Sequence, residues 1–179
     1  MNDIELLTRA YHFAALAHVD QRRKGEAAEP YMNHLTEVAE LVAQATNGEA
    51  IEIVVAAILH DTIEDTETTV EDLRAAFGPR VADLVMEVTD DKSLPSSERK
   101  SLQVEHAAHA SAGAQIIKIA DKTANLRSLV ASPPPNWSKV RRDEYVAWAG
   151  RVVEGCRGAN RWLAVQFDAA VEALTKPTA

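Results

Sequence analysis

Apolar residues recur along almost the whole chain at a period near 3.6, the spacing that aligns side chains on one face of a helix. Leu6, Ala10, Phe13 (or Ala14) and Ala17 form one such stripe, and Leu35, Val38, Ala39 and Val42 form a second, closed by Asn47-Gly48. A third, Ile51, Val54, Val55, Ile58 and Leu59, contains an unbroken apolar run over 53–59 and reads as a central buried helix. Thr68 with Glu71 has capping-box spacing and opens a short helix through Phe77, closed by Gly78-Pro79. Val81, Leu84, Val85 and Val88 face inward on the next helix. A polar stretch over 89–95 leads to a helix ending near Ala110, and Gly113 separates that from a helix over 114–130. Two final helices are expected over 138–156 and 160–174.

Strand signals are missing, since the β-branched residues sit inside the helical stripes and no alternating run is bounded by a hairpin turn. The expected fold is therefore all-α, a single-domain helical bundle over 1–179, with Ser132-Pro133-Pro134-Pro135 as a surface loop between helices. A chain 46% apolar and 179 residues long can bury a core without staples, and the single Cys156 excludes a disulfide framework or thiolate cage. The acidic start Met1-Asn2-Asp3-Ile4-Glu5 is unlike a secretory signal, so Asn136-Trp137-Ser138 reads as an incidental sequon. The expectation is a soluble cytoplasmic protein. A formal net charge of −8 argues against a general nucleic-acid binder, though a small anionic ligand in a locally basic pocket stays allowed.

Phosphate-loop, dinucleotide, H-E-x-x-H and nucleophile-elbow motifs are all missing. What remains is the placement of histidine and aspartate. His60-Asp61 continues the most apolar helix, where charge is rarely buried unless paired or bound to metal. The dipeptide alone is weak, since roughly 0.4 such pairs arise by chance in this composition. Glu64 falls on the same helical face as His60 and Asp61, and Asp65 follows. His34 lies beside Leu35 on the preceding helix, and Asp121 interrupts the apolar segment 116–120, with Asn125 one turn on. Singly, His34 reads as a hydrogen-bonded core or surface histidine, Asp121 as a partner of Lys118 or Lys122, and Glu64 and Asp65 as a solvated face. His12, His18, His106 and His109 read as surface or capping residues. Together, two imidazoles and two carboxylates from three helices suit a divalent ion held inside a bundle, with Mn²⁺, Mg²⁺, Fe²⁺ and Zn²⁺ all compatible with a sulfur-free donor set. Arg22-Arg23-Lys24 is the densest basic cluster and reads as either a solvated loop or a phosphate contact.

That order of His, His-Asp and Asp resembles the HD-domain metal-dependent phosphohydrolases. Arg22-Arg23-Lys24 with Pro30-Tyr31-Met32-Asn33-His34, then Ala57-Ile58-Leu59-His60-Asp61-Thr62-Ile63-Glu64-Asp65-Thr66, is similar to the hydrolase domain of the RelA/SpoT family. So are Phe77-Gly78, Glu87-Val88-Thr89-Asp90-Asp91-Lys92 and Ile117-Lys118-Ile119-Ala120-Asp121-Lys122 through Asn125-Leu126-Arg127. The likeness runs from Tyr11 to Asn160 and is strongest to the stand-alone small alarmone hydrolases, including the animal SpoT-like type. The resemblance implies an all-helical fold and Mn²⁺-dependent removal of the 3′-pyrophosphate from ppGpp or pppGpp, giving GDP or GTP. It implies His34, His60, Asp61 and Asp121 as ligands of one ion, Glu64 and Asp65 as the catalytic acidic pair, and Arg23, Lys24 and Asn125 at the nucleotide. The implied partner is a small nucleotide, with neither nucleic acid nor membrane. Ala124 departs from relatives that carry a ring there, which leaves ppApp-type alarmones or the 2′-phosphate of NADPH as alternative substrates. A non-catalytic nucleotide-binding module is the remaining alternative.

Overall fold

The computed structural model describes residues 1–175. The expected domain also takes in 176–179, which lie outside the described residues. The elements are α1 (Asp3–Ala17), α2 (Met32–Ala45), α3 (Ile51–Leu59), α4 (Thr62–Asp65), α5 (Val70–Phe77), α6 (Pro79–Val88), α7 (Ser96–Ala107), α8 (Ala112–Ala131), α9 (Lys139–Cys156) and α10 (Arg161–Thr175). Among the described residues there is no strand; an isolated bridge between Arg22 and Pro30 ties the loop ahead of α2. The all-α expectation holds, and the helices over 138–156 and 160–174 are shifted by a single residue at most.

The core is organised on α3 and α8. Val54 through Leu59 are all buried, because α3 is covered by α1, α2, α6 and α8. Its apolar character on every face follows from that enclosure. Helix α8 packs against α2, α3, α6, α9 and α10, and buries Ile117, Ile119 and Leu126 completely. One contiguous apolar cluster runs from Ala10 of α1 to Ala170 of α10. No helix among the described residues is long and apolar enough to cross a membrane.

Three local expectations are corrected. The capping box of α5 is Thr69 with Asp72, not Thr68 with Glu71: Thr69 accepts from the Asp72 amide at 3.2 Å, and Asp72 returns the bond at 2.9 Å. Thr68 is instead engaged by the Thr66 hydroxyl at 2.8 Å. Gly113 does not separate two helices. It lies in the first turn of α8, where Ser111 caps the helix, and a Cβ there would sit 2.9 Å from Leu84 Cδ2. The glycine serves close packing of α8 on α6. Helix α3 also does not continue through His60 and Asp61. The Thr62 hydroxyl takes the Leu59 carbonyl at 2.6 Å and Asp61 sits at φ −101°, ψ 0°, so the chain turns before re-entering a helix as α4. Gly78 (φ +88°) ends α5 in a conformation costly for other residues, and Pro79 starts α6.

Since Ile58 is fully buried at the centre, Ile58→Ala should lower unfolding free energy by about 2–5 kcal/mol. Val165→Ala, at a position 55% exposed, should stay within about 0.5 kcal/mol. Urea melts of both variants check this; equal midpoints would show that α3 is not the structural centre.

Candidate metal centre and its cleft

Three packed elements bring the expected ligands together. His34 lies in the first turn of α2, His60 and Asp61 form the turn between α3 and α4, and Asp121 is in the middle of α8. One ring nitrogen from each of His34 and His60 and one carboxylate oxygen of Asp121 lie within 4.8 Å of one another. Asp121 Oδ1 is 3.2 Å from His34 Nε2 and 3.8 Å from His60 Nε2. Asp61 stands outside that tightest group, yet its Oδ2 is 3.1 Å from His60 Nε2 and 3.7 Å from His34 Nε2.

The donor atoms are prepared for a cation. His60 Nδ1–H donates to the Ala57 carbonyl at 2.8 Å, which fixes the ring orientation and turns Nε2 into the centre. That Nε2 is buried and makes no hydrogen bond. Tyr31 donates to Asp61 Oδ2 at 2.6 Å. Lys122 donates to Asp121 Oδ2 at 2.8 Å and Asn125 to Oδ1 at 2.6 Å, with Arg23 behind Asn125 at 2.8 Å. Burial lowers the His34 pKa despite Asp121. At His60 burial also acts downward, but Asp61 and Asp121 outweigh it and hold the imidazole well above its ordinary value. Burial would raise both aspartates; His60 overrides it at Asp61, and Lys122 with the two histidines at Asp121, so both stay below the usual carboxylate range. A buried imidazole that keeps a proton to balance two carboxylates marks the place where a cation would relieve the same imbalance. The His/His/Asp cluster is a divalent-metal site in its donor chemistry.

Glu64 and Asp65, carried by α4, line the same cleft as His60, Asp61 and Asp121, which has a volume of 410 Å³. Their surroundings differ. Asp65 is held at both oxygens, by Lys92 on Oδ1 and by Gln21 Nε2 at 2.9 Å on Oδ2. Glu64 accepts only the Asp90 amide at 3.1 Å, and Arg99 Nη1 stands 3.8 Å from its other oxygen. Burial first, then the charges of Asp61, Asp90 and Asp65, push the Glu64 carboxyl up to about 7.

A second cleft of 610 Å³ adjoins the first, sharing Lys24, Tyr31, Asn125 and Tyr145 and adding Trp137 and Arg141. Arg23 lies 5.6 Å over the Tyr31 ring, and Lys24 lines both clefts. Arg22 caps the carbonyls of Val19 and Gln21 and lines neither. Asp121 pairs with Lys122, one of its two expected partners, while serving the centre.

Sequence reasoning missed Tyr31, Gln21 and His18. His18 is only 3% exposed, not a surface residue; it caps α1, stacks on Tyr31 at 5.2 Å and meets Gln21 Oε1 at 2.5 Å through Nδ1. The one available signal was the three-residue spacing of Tyr31 and His34, whose rings meet edge-on at 5.5 Å. Ala124 is fully buried in the core and lines neither cleft.

Comparison with known proteins fits this geometry. Residues 10–152 match the HD domain family model. A guanosine-3′,5′-bis(diphosphate) 3′-pyrophosphohydrolase from Xenopus tropicalis, MESH1, is 46% identical over 93% of both chains. Its Homo sapiens counterpart is 48% identical over 88% of both. A solved structure, described as a metazoan ortholog of SpoT that hydrolyzes ppGpp and plays a role in starvation responses, superposes with a TM-score of 0.90 at 42% identity, covering 93% of this chain and 94% of its own. With His34, His60-Asp61 and Asp121 gathered on the helices that this match spans, the chain belongs to the HD domain family.

Proposed function

We propose that this protein removes the 3′-pyrophosphate of ppGpp and pppGpp, yielding GDP or GTP, and that its resident ion is Mn²⁺ held by His34, His60, Asp61 and Asp121. The observation that carries the reading is the convergence of those four side chains beside a carboxyl poised near neutrality, Glu64, in one cleft. The names of the relatives give the substrate class. When bound, the ion lowers the pKa of its water and polarises the phosphoryl oxygen under attack.

The protein's own groups then divide the work. Glu64 takes the proton of the attacking water, since a base works best with a pKa near the operating pH. The water oxygen bonds to the phosphorus next to the 3′-oxygen, the P–O3′ bond breaks, and the 3′-oxygen leaves and gains a proton. Asp65, fixed by Gln21 and Lys92, keeps α4 and its neighbour Glu64 in register. Arg23 and Lys24 meet substrate phosphates where the two clefts join, and Asn125 sets both Arg23 and Asp121. The larger cleft, with Trp137 and Tyr145, accommodates the nucleoside.

Incubation with ppGpp and Mn²⁺ should release GDP and pyrophosphate; no GDP would defeat the assignment. His60→Ala and Asp61→Ala should each abolish turnover and weaken metal binding in calorimetry, and wild-type rates in both would remove the ligand assignment.

Glu64 yields a prediction on pH. In activity, kcat/KM should climb as pH rises through about 7, because the base form is the active one, and Glu64→Gln should lose that limb with a fall of roughly 10²–10⁴ in rate. In stability the sign is opposite. The folded chain holds this proton more tightly than the unfolded chain does, so the stability contributed is complete in acid and fades as pH rises through about 7. Metal-free Glu64→Gln should therefore show a shallower loss of stability than the wild type between about pH 5 and about pH 7.5 in urea titrations, and parallel curves would refute the raised pKa.

A further inference from the structure

The cleft that holds the metal centre is also lined by residues of α7 and α8 that the proposed mechanism does not use. Lys118, one helical turn before Lys122, lines this part and is only 8% exposed, yet it makes no hydrogen bond or ion pair among the described residues. An ammonium group so enclosed is costly unless something compensates it. Lys122 is equally enclosed at 6% exposed, and Asp121 answers its charge on one side only. Its Nζ stands 4.8 Å from the Trp148 ring centroid, and the Nζ of Lys100 from α7 stands 5.3 Å from the same ring, so two ammonium groups share one indole. Arg99, also on α7, leaves its Nε buried without a partner.

The acidic residues whose charge reaches Lys118, Asp90 and Asp121, make no ion pair with it, and Asp121 is paired with Lys122. Asp90 gives its Oδ2 to Gln103 at 2.6 Å and makes no ion pair with Lys118. Burial and the neighbouring charge of Lys122 push the Lys118 pKa down, the direction expected for an ammonium lacking its counter-charge. Structural lysines of this kind normally send the ammonium to solvent along an apolar stem. Here Lys118 lines a polar cleft that Arg99, Lys100 and Lys122 line too.

We propose that Lys118, Lys100 and Arg99 form a subsite for the distal phosphate of the 3′-pyrophosphoryl group, so that the metal centre holds the reacting phosphate and this cluster the other. The assignment rests on the functional reading above and adds the basis for choosing a 3′-diphosphate over a 3′-monophosphate. A phosphate in this position supplies the missing counter-charge and places the phosphorus under attack against the metal ligands. The subsite loads only when the correct substrate is present, and its energy is spent on orientation.

The test is Lys118→Met, which keeps the length and packing of the stem, with Lys118→Arg as the charge-retaining control. Guanosine 5′-diphosphate carrying a 3′-diphosphate is compared with the same nucleotide carrying a 3′-monophosphate. The wild type should prefer the diphosphate. Lys118→Met should lower that preference in kcat/KM at least tenfold, mainly through the diphosphate, and Lys118→Arg should restore most of it. Calorimetry with inorganic pyrophosphate in Mg²⁺ buffer supplies an arm independent of turnover: affinity should fall at least tenfold in Lys118→Met, while inorganic phosphate binds almost unchanged. Unchanged pyrophosphate affinity in Lys118→Met overturns the subsite. If Lys118→Met proves unstable, Arg99→Gln, at a partly exposed position, must show the same loss of pyrophosphate affinity, and failing that the subsite is likewise overturned. A wild type inert toward ppGpp defeats the functional reading instead, and pyrophosphate binding still decides the subsite.

Discussion

The structure depends on a compensation between two aspartates and the groups that let them stay charged against an apolar core. Asp61 and Asp121 each follow an apolar run whose Ile58 and Leu59, or Ile117 and Ile119, are fully buried, and an isolated carboxylate buried beside such a core would take a proton instead of keeping its charge. Tyr31, Lys122, Asn125 and the two histidines keep them ionised. These partners lie on α8, at the start of α2 and in the turn after α3, elements that pack on one another. The core therefore supports the centre, and the centre in turn demands that the helices pack in one arrangement.

Helix α8 shows how one element meets both demands. Its Ile117, Ile119, Ala120, Ala124 and Leu126 are fully buried, while Lys118, Asp121, Lys122 and Asn125 line the clefts. Turning the helix by a single residue, so that Asp121 took the place of Ala120, would bury the carboxylate in the core. Gly113 guards that rotation by letting the helix start close against Leu84 and Ile53. A distant small residue thus helps set the position of the Asp121 carboxylate.

The fold was visible in the sequence where periodicity is long, as in α2, α3, α8 and α10, because many apolar side chains vote for the same face. It was less visible where one hydrogen bond decides. Thr69 and Asp72 displaced the expected Thr68 and Glu71 because Thr68 is drawn to Thr66, a preference that pattern spacing does not carry. The break after Leu59 was hidden for the same reason: Thr62 captures the carbonyl that a continuing helix would use. The four expected ligands were recognisable because charged residues inside apolar helices are rare. Tyr31 and His18 were not, since aromatic and imidazole rings belong equally well to a core or a surface.

Glu64 and Asp65 show most clearly what adjacency conceals. In sequence they are one acidic pair, and nothing in their order separates their tasks. In three dimensions Asp65 is clamped between Lys92 and a Gln21 that is itself held by His18, so its charge is answered at both oxygens. Glu64 has one amide and a distant guanidinium, and faces three other carboxylates. Unlike surroundings give two neighbouring carboxyls different partners, Asp65 two side-chain donors and Glu64 a single backbone amide. The separation rests on Gln21, whose amide oxygen meets the imidazole while its nitrogen donates to the carboxylate. A side chain 44 positions away from Asp65 in the sequence therefore helps decide which of two adjacent acids is clamped and which is left with a single amide.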